Sequence, residues 1–226
     1  MQEYKDIVVI AWNGVDVPLK YIKADALPHF RLFLFNYSGN GAVPAEPSSK
    51  DAIAGALPLN VSVADALPLN DAPNVHFPLK NSIEKIISIK TEFKGQLISE
   101  LCAQVKNESY RYIGILDDDQ EISVSGINKL IQIAEQQNAD TFQPSVSPDS
   151  FYSHKQFLQK PGVEFEKVNW VEIMAPFIRK ELFEAGEPYY KASISSYGVD
   201  KYVLPYLQYK LNRRTAMLIH AVSIKH

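Results

Sequence analysis

The chain has 226 residues, 46% hydrophobic and 22% charged, with a formal net charge of −3, which suits a soluble globular protein with a substantial core. Mild negative charge without a basic block argues against nucleic-acid or anionic-membrane binding, and no apolar stretch approaches the roughly 18 to 20 residues of a transmembrane span. The single cysteine, Cys102, excludes an intramolecular disulfide; with the polar start at residues 1–6 it points to a cytoplasmic protein, and a homo-oligomer is allowed.

Ile7-Val8-Val9-Ile10-Ala11-Trp12 is a continuous β-branched run, the signature of a strand buried on both faces of a parallel sheet. A second run, Phe30 to Phe35, ends in the turn signal Asn36-Tyr37-Ser38-Gly39-Asn40-Gly41. Strand, short helical link and strand is how a doubly wound α/β sheet begins. Asn13, Asn36, Tyr37 and Ser38 then stand where such folds cradle a nucleotide, although each also serves as a plain turn former. Residues 42–73 carry Ala-Gly-Ala-Leu-Pro-Leu-Asn at 54–60 and Ala-Asp-Ala-Leu-Pro-Leu-Asn at 64–70. Two short copies make no solenoid, so this segment reads as a long insertion, either mobile or a partner-binding arm.

Asn74 to Phe77 reads as a third strand, and 82–89 as one or two helical turns. Phe93, Leu97, Ile98, Leu101 and Val105 share one helical face, with Thr91 as N-cap and Glu92 in the first turn. Lys94-Gly95 near that helix start suits a phosphate or sugar neighbour, or equally a solvated lysine beside a close-packing glycine. Ile127, Leu130, Ile131 and Ala134 mark another helix, capped by Ser123 or Ser125. Residues 140–144 suggest an edge strand, 163–168 a half-exposed strand, and 170–176 a strand with a buried carboxylate at Glu172. Helices are expected from about 179 to 185 and from about 198 to 211, and a strand at 216–219.

Between the first two of these helical faces, the apolar run 112–116 ends in Asp117-Asp118-Asp119. Three carboxylates at a strand end need solvent or a cation to offset their desolvation. Alternation along an extended segment points Asp117 and Asp119 the same way. Oxygen ligands in that pattern suit Mg²⁺ or Mn²⁺, and a histidine added to them favours Mn²⁺. An EF-hand would need glycine and glutamate where Ile122 and Asn128 stand, and the chain has no Walker, dinucleotide, zincin or nucleophile-elbow motif.

The series Tyr112-Ile113-Gly114-Ile115-Leu116-Asp117-Asp118-Asp119, then 170–176, Tyr197-Gly198-Val199-Asp200 and 221–226 resembles GT-A-type glycosyltransferases carrying a D-x-D motif. It also resembles a glycosyltransferase-like family catalogued as a domain of unknown function. The resemblance spans about residues 90–226 and implies a single GT-A-like domain, a mostly parallel sheet flanked by helices. Residues 1–120 would form the nucleotide-binding half, with Asn13, Tyr37, Lys94 and Asp117 at the donor; 121–226 would form the acceptor side. It further implies a metal held by Asp117, Asp119 and His226, with His220 as the alternative, and transfer from a nucleotide sugar to a hydroxyl acceptor on a glycan or glycoconjugate. Asp200 becomes the candidate general base; Val199 replaces the glutamate usual in that motif, so Glu172 stands as second candidate. A nucleotide- or glycan-binding module without turnover is the alternative from another class.

Overall fold

The protein is described from a computed structural model covering residues 6–15, 18–39 and 79–226. The insertion at 42–73 with its repeat, the strand at 74–77 and the end of the 36–41 turn lie outside the described residues. In chain order the strands are β1 (Ile7–Trp12), β2 (Ile22–Lys23), β3 (Arg31–Asn36), β4 (Ile83–Ser88) and β5 (Tyr112–Leu116), followed by β6 (Ile122–Ser123), β7 (Thr141–Val146), β8 (Phe165–Val168), β9 (Phe177–Arg179) and β10 (Ala216–Ile224). The helices are α1 (Lys94–Val105), α2 (Val124–Gln136), α3 (Lys180–Ala185), α4 (Glu187–Ala192) and α5 (Leu204–Lys210).

Eight strands form one sheet in the order β4-β3-β1-β5-β9-β7-β10-β8, mostly parallel, with β9 and β8 antiparallel to their neighbours. β1 lies between β3 and β5, and all six of its residues are buried. Its alternation divides the core: Val8, Ile10 and Trp12 pack on the α2 face, Ile7, Val9 and Ala11 on the face covered by α1, α3, α4 and α5. Each of the larger side chains contributes about 1.5–3 kcal/mol by burial, which is why an unbroken apolar run is required in a strand covered twice.

Four expectations are corrected by the pairing. Residues 83–88 form β4, not helical turns, because of a bulge. Leu32 pairs with Ile83 but Phe33 with Lys85, so Glu84 is the extra residue. The bulge resets the alternation, and Ile83 and Ile87, spaced like neighbours on a helix, pack on opposite faces of the sheet. Residues 141–144 belong to an interior strand, β7, between β9 and β10, in place of the edge strand expected over 140–144. Pro144 is tolerated there because β9 pairs with β7 only at Thr141 and Phe142. Among the described residues, the link between β1 and β3 contains β2 and no helix. Residues 170–176 form no strand; the Glu172 N–H and the Met174 carbonyl are taken by side chains of the site, and the Pro176 carbonyl accepts the Ile115 N–H at 3.0 Å.

Other expectations survive with shifted ends. Ser123 caps α2 by accepting the Gly126 N–H at 3.0 Å. The cap of α1 is Phe93, not Thr91, because the Gln96 carboxamide turns back to accept the N–H groups of Glu92 and Phe93. The last helix opens with a π-helical turn, Val199–Val203, before α5, and α4 follows Gly186 directly. β10 continues past residue 219 to Ile224 through an irregularity in its pairing with β7.

Candidate active site

The parallel strands β1, β3, β4 and β5 deliver their C-terminal ends to one edge of the sheet, the side on which ligands bind in open α/β folds. Asn13 follows β1, Tyr37 follows β3, Lys94 opens the helix after β4, and the aspartates follow β5. Backbone bonds tie the loops together: Tyr37 N–H donates to Trp12 O at 2.9 Å, and Thr91 N–H to Tyr37 O at 2.9 Å. Residues from four separate segments are thereby brought to one edge of the sheet. Asn13, Asp117 and Asp118 line a common cavity of about 50 Å³ there.

The three aspartates diverge: Asp117 and Asp118 face this cavity, and Asp119 does not line it. Lys94 Nζ donates to Asp117 Oδ1 at 2.6 Å and to the Met174 carbonyl at 3.2 Å. Tyr37 O–H donates to Asp118 Oδ2 at 2.7 Å. Asp119 Oδ2 lies 2.9 Å from His226 Nε2 across 107 positions of sequence. Burial pushes the Asp117 carboxyl above its usual range, against the pull of Lys94, and its two acidic neighbours push the same way. Burial and the bond to Asp118 hold the Tyr37 phenol well above its usual value, so it remains a donor.

His226 is positioned by backbone. Glu121 N–H donates to Lys225 O at 2.7 Å and Lys225 N–H to Glu121 O at 3.1 Å, a β-bridge two residues past Asp119. His226 N–H also donates to Ser150 Oγ at 2.8 Å. His220 is placed differently: it is buried in β10, its Nδ1 accepting the Lys160 N–H at 3.2 Å and its Nε2 3.3 Å from Glu166. It supports the sheet edge.

The 170–176 segment brings the acceptor-side carboxylates in. Glu172 N–H donates to the Gln143 side chain within β7, and Met174 O also accepts Gln120 Nε2–H at 2.9 Å. The Glu172 side chain is buried; burial raises its pKa most, and Asp200 raises it further, while His154, a bond from Ser153 and Lys94 pull it down. Asp200 stands in the first turn after Gly198, whose φ of +84° suits glycine, and its Oδ1 accepts the Lys201 N–H at 2.8 Å. Glu172, Asp200 and Lys94 therefore share one electrostatic neighbourhood. Among the described residues no three His, Cys, Asp or Glu side chains form a ready metal-ligand group, so Asp117, Asp119 and His226 are not joined in one cluster.

His154, Gln120 and Gln143 went unnoticed in the sequence. Gln120 follows the aspartates after β5 and Gln143 is a buried polar residue inside β7, whereas His154 sits in an irregular loop and packs its ring edge-on against Trp170 and Phe157, 5.0 and 6.0 Å between centroids. Gly95 is required for contact: a Cβ there would stand 1.9 Å from the Ser193 carbonyl oxygen. Gly95→Ala is expected to lower stability by about 1–3 kcal/mol despite better helix propensity, and to weaken donor binding by displacing Lys94. A thermal melt at or above that of the parent protein would refute this.

No family model matches the chain, and no curated protein does either. Solved structures do. Residues 1–349 of S. aureus TarS in complex with UDP match at a TM-score of 0.56 and 10% identity, covering 97% of this chain and 59% of that one. A longer TarS structure also matches at 0.56 and 10%, with 97% and 36% covered. The two proteins share a fold. It is an α/β fold, a mostly parallel sheet flanked by helices. The chain spans 59% or less of the TarS chains it matches. No helix among the described residues is long and apolar enough to cross a membrane.

Proposed function

We propose that the chain is a metal-dependent glycosyltransferase that moves a sugar from a nucleotide-sugar donor to a hydroxyl acceptor on a glycan or glycoconjugate. The observation that carries this reading is the meeting of Asp117–Asp119, Tyr37, Lys94 and His226 at the sheet edge, with Glu172 and Asp200 beside Lys94. The fold shared with UDP-bound TarS supports it.

Asp119 and His226 offer one oxygen and one nitrogen donor, 2.9 Å apart and partly exposed, and this donor set fits Mn²⁺ or Mg²⁺ completed by phosphate oxygens. The ion would supply Lewis acidity to neutralise the departing diphosphate. Lys94 holds Asp117 in place for the donor ribose and adds positive charge beside the phosphates. Tyr37 and Asn13 flank the nucleotide. Glu172, whose burial makes it the stronger base, accepts the proton of the acceptor hydroxyl, and Asp200 keeps it basic.

The absence of a three-ligand group among the described residues favours a second reading, a nucleotide-binding module without turnover. A panel of nucleotide sugars incubated with the protein, with Mn²⁺, Mg²⁺ or EDTA, separates the two. Transferase chemistry predicts metal-dependent release of nucleoside diphosphate that EDTA stops. Nucleotide binding with no release from any donor would establish the module instead.

A further inference from the structure

The two segments that carry Glu172 and Asp200 continue away from the site as the walls of a separate cleft. Lys201, next to Asp200, places Nζ 4.9 Å from the centre of the Trp170 ring, two residues before Glu172. Further along the same helical face, at i+4 and i+7 from Lys201, come Pro205 and Gln208. Beyond them Asn169, Gln208, Tyr209, Arg213 and Arg214 line a cavity of about 280 Å³.

Its chemistry is unbalanced in one direction. Gln208 is only 5% exposed, and its Nε2 has no hydrogen-bond partner among the described residues, a donor whose desolvation is uncompensated. Asp140, the carboxylate within reach of Arg213, is already bound by Arg179 Nε at 3.1 Å and by the Thr215 N–H at 3.0 Å. Arg213 Nη1 stands 3.8 Å from the same Asp140 oxygen, a second guanidinium on a neutralised charge. Arg214 has no carboxylate within 4.0 Å among the described residues and lies 5.8 Å from the centre of the Tyr209 ring. Two guanidiniums and an exposed aromatic ring line a cavity with no acidic side chain in its lining, and Gln208, with its unpartnered donor, forms part of the wall.

We propose that this cleft binds an acidic sugar unit of the acceptor, which deepens and rests on the glycosyltransferase reading. The carboxylate of a uronic acid takes paired N–H donors from Arg213 and Arg214 and the free Gln208 donor. Tyr209, 72% exposed, offers its ring to the sugar C–H face. Glycan extending along Trp170 and Lys201 then presents a hydroxyl to Glu172.

The test is calorimetric titration of the intact chain with a uronic-acid oligosaccharide, the neutral hexose oligosaccharide of equal length, and inorganic sulfate, at fixed ionic strength. The uronate is expected to bind at least about tenfold more tightly than either control. Gln208→Leu, and separately the surface pair Arg213→Gln with Arg214→Gln, should each weaken it by about tenfold or more, the size of a lost charged hydrogen bond. Equal binding of the neutral oligosaccharide, sulfate binding as tight as the uronate, or unchanged affinity in the arginine pair would overturn the proposal. Titration of UDP with Mn²⁺ on the same sample keeps the two readings apart. If UDP binds and the uronate does not, only the cleft assignment falls, whereas loss of UDP binding removes the donor site itself.

Discussion

Asp119→Ala is expected to erase the metal-dependent part of nucleotide stabilisation. At 100 times its Kd a ligand stabilises a folded chain by about 2.7 kcal/mol, which for a protein of this size moves Tm by about 5 to 10 °C. In the parent protein, Mn²⁺ with UDP should produce a shift of that order, and UDP alone a much smaller one. The variant loses one of two donors that meet only through the fold, Asp119 and His226, and the imidazole alone cannot hold a hard cation with useful affinity. Asp119 is partly exposed and bears no core packing, so the variant should melt like the parent without ligand. A full Mn²⁺–UDP shift in Asp119→Ala would move the metal elsewhere and sink the assignment.

The second large effect concerns Glu172. Glu172→Gln should keep donor binding and lower transfer by about 10² to 10⁴-fold, the usual worth of a general base. Its stability should change in the opposite sense. Because the folded pKa is raised by burial, the Glu172 contribution is fully present below the unfolded value and is lost as pH rises through the folded one. At neutral pH the buried carboxylate therefore destabilises the fold, and the glutamine variant should melt higher there, with the advantage vanishing near pH 4. Asp200→Asn removes a negative neighbour, so the acidic limb of the transfer pH profile should move to lower pH. Loss of transfer in Asp200→Asn with full transfer in Glu172→Gln would exchange their roles.

The sequence was most legible where one rule acts alone. β1 and β5, buried on both faces, have no choice but to be continuous apolar runs, and the aspartates after β5 announce a strand end that needs partners. It was least legible where two rules compete. In β4 a single extra residue turns helical spacing into strand pairing on two faces, and nothing local to 83–88 reveals the bulge, which exists only against β3. Residues 170–176 look like a strand because they are apolar, yet their backbone is claimed by Lys94, Gln120 and Gln143 from three distant elements. The site follows the same division. Carboxylates in a row attract attention, whereas Gln120, Gln143 and His154 acquire meaning only from what folding puts beside them.

The bridge between Glu121 and Lys225 fixes more than a distance. Successive side chains of an extended segment project to opposite sides, and here Lys225 reaches Asp149 at 2.6 Å while His226 reaches Asp119 at 2.9 Å. Losing or gaining one residue at the end of β10, where Ile224 directly precedes the bridge, would exchange the two, setting an ammonium where the imidazole belongs. The end of β10 is therefore under a constraint of parity: an odd change of length there would put the wrong side chain beside Asp119.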